Sequence, residues 1–71
     1  MDEQNTLGTN LRSLRRQAGL SQKQVSDALS LTRQAYGNYE RGKRTPDLMT
    51  LVRAADYFGV SLDELIRGMN R

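Results

Sequence analysis

Residues 21–42 read SQKQVSDALSLTRQAYGNYERG, and this stretch decides the fold. Ser21-Gln22-Lys23-Gln24 is a capping box: the Ser21 hydroxyl accepts from the Gln24 amide, and the Gln24 side chain reaches back to the Ser21 amide. Leu20 and Val25 stand at the two positions of a hydrophobic staple across that cap. The helix it opens carries Val25, Ala28 and Leu29 on its inward face. Only Ser30 and Leu31 intervene before Thr32, a second N-cap residue, with Leu31 and Tyr36 as its staple pair. The next helix runs from Arg33 to about Arg41 and stops at Gly42. Two short helices joined by a turn of about three residues make a helix-turn-helix unit. Its internal faces pair Val25 and Leu29 with Tyr36 and Tyr39. That burial sets the crossing angle and decides what the second helix shows to solvent.

What it shows is Arg33, Gln34, Gly37, Asn38 and Arg41. Arginine can bond bidentately to guanine O6 and N7, and glutamine or asparagine can do the same to adenine N6 and N7. A plain solvated helix face would also be polar, but Gly37 argues against one. Glycine inside a helix costs roughly 1 kcal/mol relative to alanine. It is expected there only if the missing side chain lets something approach the backbone closely.

Outward from this unit the punctuation stays clear. Upstream, Leu7, Leu11, Leu14 and Ala18 form one apolar stripe, predicting a helix from about Gln4–Thr6 to Ala18, ended by Gly19. Downstream, Lys43-Arg44-Thr45-Pro46 is a basic loop. A fourth helix begins near 46–48, capped by Thr45 or Asp47, with Leu48, Leu51, Val52, Ala55 and Phe58 as its core face and Gly59 as its stop. Ser61-Leu62-Asp63-Glu64 is another capping box, with Val60 and Leu65 as staple. It opens a fifth helix from Leu62 to about Arg67 that buries Leu62, Leu65 and Ile66. No segment alternates with a period of two, so the expected fold is all-α: a compact five-helix single domain over residues 1–71, with its core at about 6–67 and tails at 1–5 and 68–71.

Composition narrows the function. The 71 residues contain no Cys and no His. Most zinc sites and most nucleophile–base pairs are thereby excluded. The acids do not cluster, no glycine loop could cradle a phosphate, and no enzyme, cofactor or small-molecule ligand is expected. No apolar run approaches the roughly 20 residues of a membrane span. The polar start, Met1-Asp2-Glu3-Gln4-Asn5, is unlike a secretory signal. The expected location is cytoplasmic, at a bacterial or phage nucleoid. Residues 9–46 carry eight basic side chains against Asp27 and Glu40 alone, within a chain of net charge +3. One basic block of this kind suits a polyanionic partner.

The whole pattern resembles the phage-repressor helix-turn-helix family, of the Cro/cI or xenobiotic-response-element type. The resemblance is carried by Leu11-Arg12-x-Leu14-Arg15, Gly19-Leu20-Ser21-Gln22, Val25-Ser26-x-Ala28-Leu29, Thr32-Arg33-Gln34, Tyr39-Glu40-Arg41-Gly42-Lys43-Arg44-x-Pro46, Leu51, Ala55 and Gly59-Val60-Ser61-Leu62-Asp63-Glu64-Leu65. It implies a five-helix lambda-repressor-like domain with the third helix in the major groove. By position it implies base contacts from Arg33, Gln34 and Asn38, with Gly37 also facing the groove. Phosphate contacts are implied for Gln22, Lys43 and Arg44, and Ser21 and Arg41 complete that set. Arg15 and Glu40 match a buried or half-buried ion pair that ties helix one to the end of helix three, so Glu40 is assigned to architecture. Three residues depart from the pattern: Ser30 where glycine is common, Ser26 for alanine, and Tyr36 for a branched aliphatic.

The function expected is a sequence-specific regulator of transcription, a repressor, that binds a palindromic operator in double-stranded DNA as a homodimer. The dimer surface is expected at helices four and five, including Met69, and small enough that DNA assists its assembly. The alternative is a protein-interaction module of the same fold, binding another regulator or a toxin, with DNA binding secondary.

Overall fold

The computed structural model describes residues 6–68. It consists of α1 (Thr6–Gln17), α2 (Gln22–Ala28), α3 (Arg33–Arg41), α4 (Leu48–Phe58) and α5 (Leu62–Arg67), with no strand among the described residues. Helix α1 packs on α3 and α5, α2 packs on α3, and α4 packs on α5. Leu11, Val25, Leu29, Tyr36, Ala54, Ala55 and Leu65 make the buried core.

The helix starts follow from the side chains that cap them. Both capping boxes are formed: Ser21 with Gln24, and Ser61 with Glu64. Thr32 Oγ1 accepts from the Ala35 amide at 3.0 Å. Asp47, not Thr45, caps α4 by accepting from the Thr50 amide at 2.9 Å. The hydrogen bonds from Thr50 hold the Asp47 carboxyl below its ordinary value.

Four helix ends share one geometry, a pair of backbone bonds returning to the last turn. After α2 these are Ser30 N–H to Asp27 C=O at 3.2 Å and Leu31 N–H to Ser26 C=O at 2.8 Å. The turning residue is glycine after α1, α3 and α4, but after α2 it is Ser30, at φ 59°. A non-glycine residue in the left-handed region costs roughly 1–2 kcal/mol. The departure noted at Ser30 is therefore a strained residue in an otherwise ordinary turn.

The expected core needs four corrections. Leu48 is 63% exposed: it lies on the correct face, but in the first turn of α4, where no other helix covers it. Ile66 is 42% exposed, because the six-residue α5 centres Leu65 on its neighbours and leaves Ile66 at the edge. Ala28 is exposed and Ser26 is buried instead, since α2 turns the Val25–Ser26–Leu29 side toward α3. Burial of Ser26 leaves no polar atom unpaired, because its hydroxyl donates to the Lys23 carbonyl at 2.9 Å. Ala18 falls past the end of α1 and is exposed, while Ala54, not expected in the core, is buried.

Candidate nucleic-acid interface

The frame of the interface is a polar cluster under α3. Arg15 reaches Glu40 with two nitrogens, Nε to Oε2 at 2.7 Å and Nη2 to Oε1 at 3.2 Å. Its third nitrogen, Nη1, donates to the Leu20 carbonyl at 2.9 Å. Gln22 Nε2 donates to Glu40 Oε1 at 3.0 Å. Arg15 is 12% exposed and Glu40 only 2%. One carboxylate thus ties α1 and the start of α2 to α3. Burial, the largest influence on Glu40, would raise its pKa. The hydrogen bonds from Arg15, the close Tyr36 hydroxyl and the hydrogen bond from Gln22 outweigh it and hold the carboxyl below its ordinary value. The Tyr36 hydroxyl is fully buried beside this carboxylate, without a hydrogen bond of regular geometry. Burial first, and the neighbouring Glu40 second, push that phenol well above its usual range.

The turn of the helix-turn-helix is held from another side. Arg53 on α4 donates from Nη2 to the Leu29 carbonyl at 3.3 Å. On the far flank, Asn10 Nδ2 donates to the Leu65 carbonyl at 2.9 Å and so docks the end of α5 on α1. Sequence reading missed Arg53, Asn10 and the Gln22–Glu40 bond. Each joins residues distant in the chain, and no local pattern marks them.

With Tyr36 and Glu40 buried and Tyr39 half-buried, the opposite side of α3 faces solvent. Gln34, Asn38 and Arg41 follow one another at spacings of four and three and so lie along one line of the helix. Arg33 and Gln34 are exposed, with no side-chain partner among the described residues. Asn38 is half-buried and accepts from Arg41, Nη2 to Oδ1 at 2.7 Å. Gly37 is covered, and what covers it is this same guanidinium: a Cβ at residue 37 would lie 3.1 Å from Arg41 Nη1. The close approach expected at Gly37 is therefore made by its own helix.

The basic loop is delivered to the same edge. Gly42, at φ 77°, donates to the Tyr39 carbonyl, and Lys43 N–H bonds the Asn38 carbonyl at 2.9 Å. Lys43 and Arg44 are exposed, in the turn that follows Arg41. The two residues expected at phosphates near the start of α2 are more deeply committed to the fold. The Ser21 hydroxyl accepts from Gln24, and the Gln22 amide nitrogen turns inward to Glu40.

An exposed polar helix, held by a second helix across a tight turn and flanked by cations, defines a helix-turn-helix domain. Comparison with known proteins agrees. A family profile described as Helix-turn-helix matches residues 11–65. The chain belongs to this family, in its Cro/cI, xenobiotic-response-element type. It is 46% identical over 61 residues to the SPbeta prophage-derived HTH-type transcriptional regulator YonR of Bacillus subtilis, covering 86% of this chain and 56% of that protein. It is 38% identical over 66 residues to the HTH-type transcriptional regulator y4dJ of Sinorhizobium fredii, covering 93% of this chain and 86% of that one. The chain thus spans about half the length of YonR and most of y4dJ. Among solved structures, the restriction-modification controller protein C.AhdI from Aeromonas hydrophila superposes with a TM-score of 0.81 at 32% identity, over 87% of this chain and 94% of that one.

Proposed function

We propose that this chain is a sequence-specific, double-stranded-DNA-binding regulator of transcription, acting as a repressor, with α3 lying in the major groove. The observation that carries the reading is the outward side of α3. Gln34, Asn38 and Arg41 form a line of base-edge chemistry on a helix whose other side is locked into the core. Arg33, Gln34 and Asn38 meet base edges, with Gly37 on the groove side beneath the Arg41 guanidinium. Lys43 and Arg44 bind backbone phosphates, and Arg41 lies between the two groups. Ser21 and Gln22 add what their cap leaves free, the Ser21 O–H and the Gln22 backbone N–H. The protein is a binding module, not an enzyme, and works in the cytoplasm.

One short helix reads few base pairs, so the proposal includes a homodimer on a two-fold symmetric operator, with half-sites about 34–36 Å apart. Its interface is the α4–α5 side, where Leu48, Met49 and Ile66 are 63%, 64% and 42% exposed. A second copy would cover apolar surface that the single chain leaves wet. Met69, expected in the same interface, lies outside the described residues. Sedimentation with operator-length duplex tests this part: two chains per duplex are expected, and one chain would refute the dimer.

The test of the function is the salt dependence of duplex binding. Phosphate contacts release counterions, so affinity should fall steeply between about 50 and 200 mM salt. A flat response would favour the other reading, a module for a regulator or toxin partner. The exposed Lys43 and Arg44 beside α3 weigh against it.

A further inference from the structure

The contact between Arg41 and Asn38 decides which way the Asn38 amide faces. Arginine carries donors only, so the atom that meets Nη2 at 2.7 Å must be the amide oxygen. Rotating the amide would bring two donors together. Asn38 is thereby fixed with its oxygen turned toward Arg41 and its NH₂ group on the other side. The fork of Arg41 lies closely over residue 37: a Cβ would stand 3.1 Å from Nη1 and 3.4 Å from Nη2, so the fork would have to shift by a few tenths of an ångström relative to Asn38. Helix α3 carries a glycine in its middle turn, where alanine would be the better helix former. Its one close neighbour in that space is the guanidinium.

We infer that Arg41 is a positioning residue for Asn38, that Gly37 is the space Arg41 needs, and that the pair turns Asn38 into a hydrogen-bond donor that selects guanine over adenine. This rests on the DNA-binding reading of the preceding section. A free asparagine pairs with adenine by giving to N7 and taking from the N6 amino group. Arg41 fills one of the two lone pairs of that oxygen, so an adenine N6 amino group would have to share the oxygen beside the guanidinium, donor against donor, and that half of the pattern is weakened. The Asn38 NH₂ group and the adjoining guanidinium together offer donors alone. Guanine answers with two acceptors, N7 and O6, whereas adenine sets its N6 donor against them. Arg41 therefore shapes base choice at a neighbouring residue, in addition to any contact of its own with a phosphate.

The experiment has two arms, using the wild-type chain and the variants Gly37→Ala, Arg41→Ala and Asn38→Ala. In the free protein, the side-chain NH₂ signals of Asn38 are followed by ¹⁵N NMR. They should move in both Gly37→Ala and Arg41→Ala, while the backbone spectrum and melting temperature show each variant folded. Signals that stay in place in both would overturn the inference. In the second arm, duplexes bound from a randomised pool are sequenced. Asn38→Ala identifies the position that residue 38 reads. Wild type should select guanine there. Gly37→Ala and Arg41→Ala should each lower the guanine-to-adenine ratio at that position by about tenfold, with other positions unchanged. If Arg41→Ala weakens all sequences alike and leaves that ratio constant, Arg41 is an independent phosphate contact and the inference fails while the DNA-binding reading stands. If wild type retains no duplex from the pool, both readings fall.

Discussion

The two sides of α3 are made from the same nine residues, Arg33–Arg41, under opposite constraints. On the inner side Tyr36 and Glu40 are buried, and the Glu40 carboxylate is held by Arg15 and Gln22 from two other elements. Change there must be met by α1, α2 and α3 together. On the outer side Gln34 is exposed, and among the described residues the Asn38 and Arg41 side chains bond each other. Change there is felt locally. The difference separates a rigid holder from the surface proposed to read DNA, and each prediction below probes one side against the other.

The largest effect is expected on the inner side. Glu40→Ala leaves the half-buried Arg15 without its charge partner, and loss of one partner from such a pair costs about 3–5 kcal/mol when the site is buried. Chemical denaturation should show a loss at or somewhat below that range, because Arg15 retains its bond to the Leu20 carbonyl. Acid does the same to the intact chain. The Glu40 carboxyl is held below its ordinary value of 4.5, so its stabilisation is complete above that pH and drains away as pH falls through the lower folded value. The melting temperature should hold steady down to pH 4.5 and drop below it. Glu40→Gln should show a smaller drop, the remainder belonging to Asp47, whose carboxyl is also depressed.

On the outer side the expected change is in discrimination instead of stability. Asn38→Ala and Gln34→Ala should each remove about 1–3 kcal/mol of preference at one base position, read by competition between duplexes. Denaturation of either variant should stay within about 0.5 kcal/mol of wild type. Gly37→Ala makes the contrast sharper. Relative helix propensity favours alanine by about 1 kcal/mol, and the only neighbour that must move is the flexible end of Arg41. The variant should melt slightly higher while its base selection degrades. Smallest is Lys43→Ala, which should weaken binding to every sequence alike and lower the salt slope by about one.

Much of this was legible in the sequence, and the reason is local chemistry. The bounds of α3 and α5 follow from Thr32, Gly42, Ser61 and the residues three positions beyond each cap, all within one turn of the helix end. Burial was less legible. Periodicity names the face of Leu48 and Ile66 correctly but says nothing of whether another helix reaches that far. The holder was legible only in part. Arg15–Glu40 was expected through resemblance to a family, whereas Arg53 on the Leu29 carbonyl and Asn10 on the Leu65 carbonyl span 24 and 55 residues and leave no local trace. Gly37 did leave one, since a glycine in mid-helix asks what lies over it. The answer, Arg41 four residues on, was already within reach of helical spacing.

The most direct measurement is an NMR titration of the ¹⁵N-labelled chain with a duplex selected from a random pool, following side-chain as well as backbone signals. Docking through the outer side of α3 requires the largest changes at Gln34 and Asn38, at the Arg33 and Arg41 guanidinium groups and in the loop at Lys43–Arg44. Signals around the buried Tyr36 and Glu40 should stay nearly still. Changes gathered on α4 and α5, with the Gln34 and Asn38 side chains silent, would contradict it.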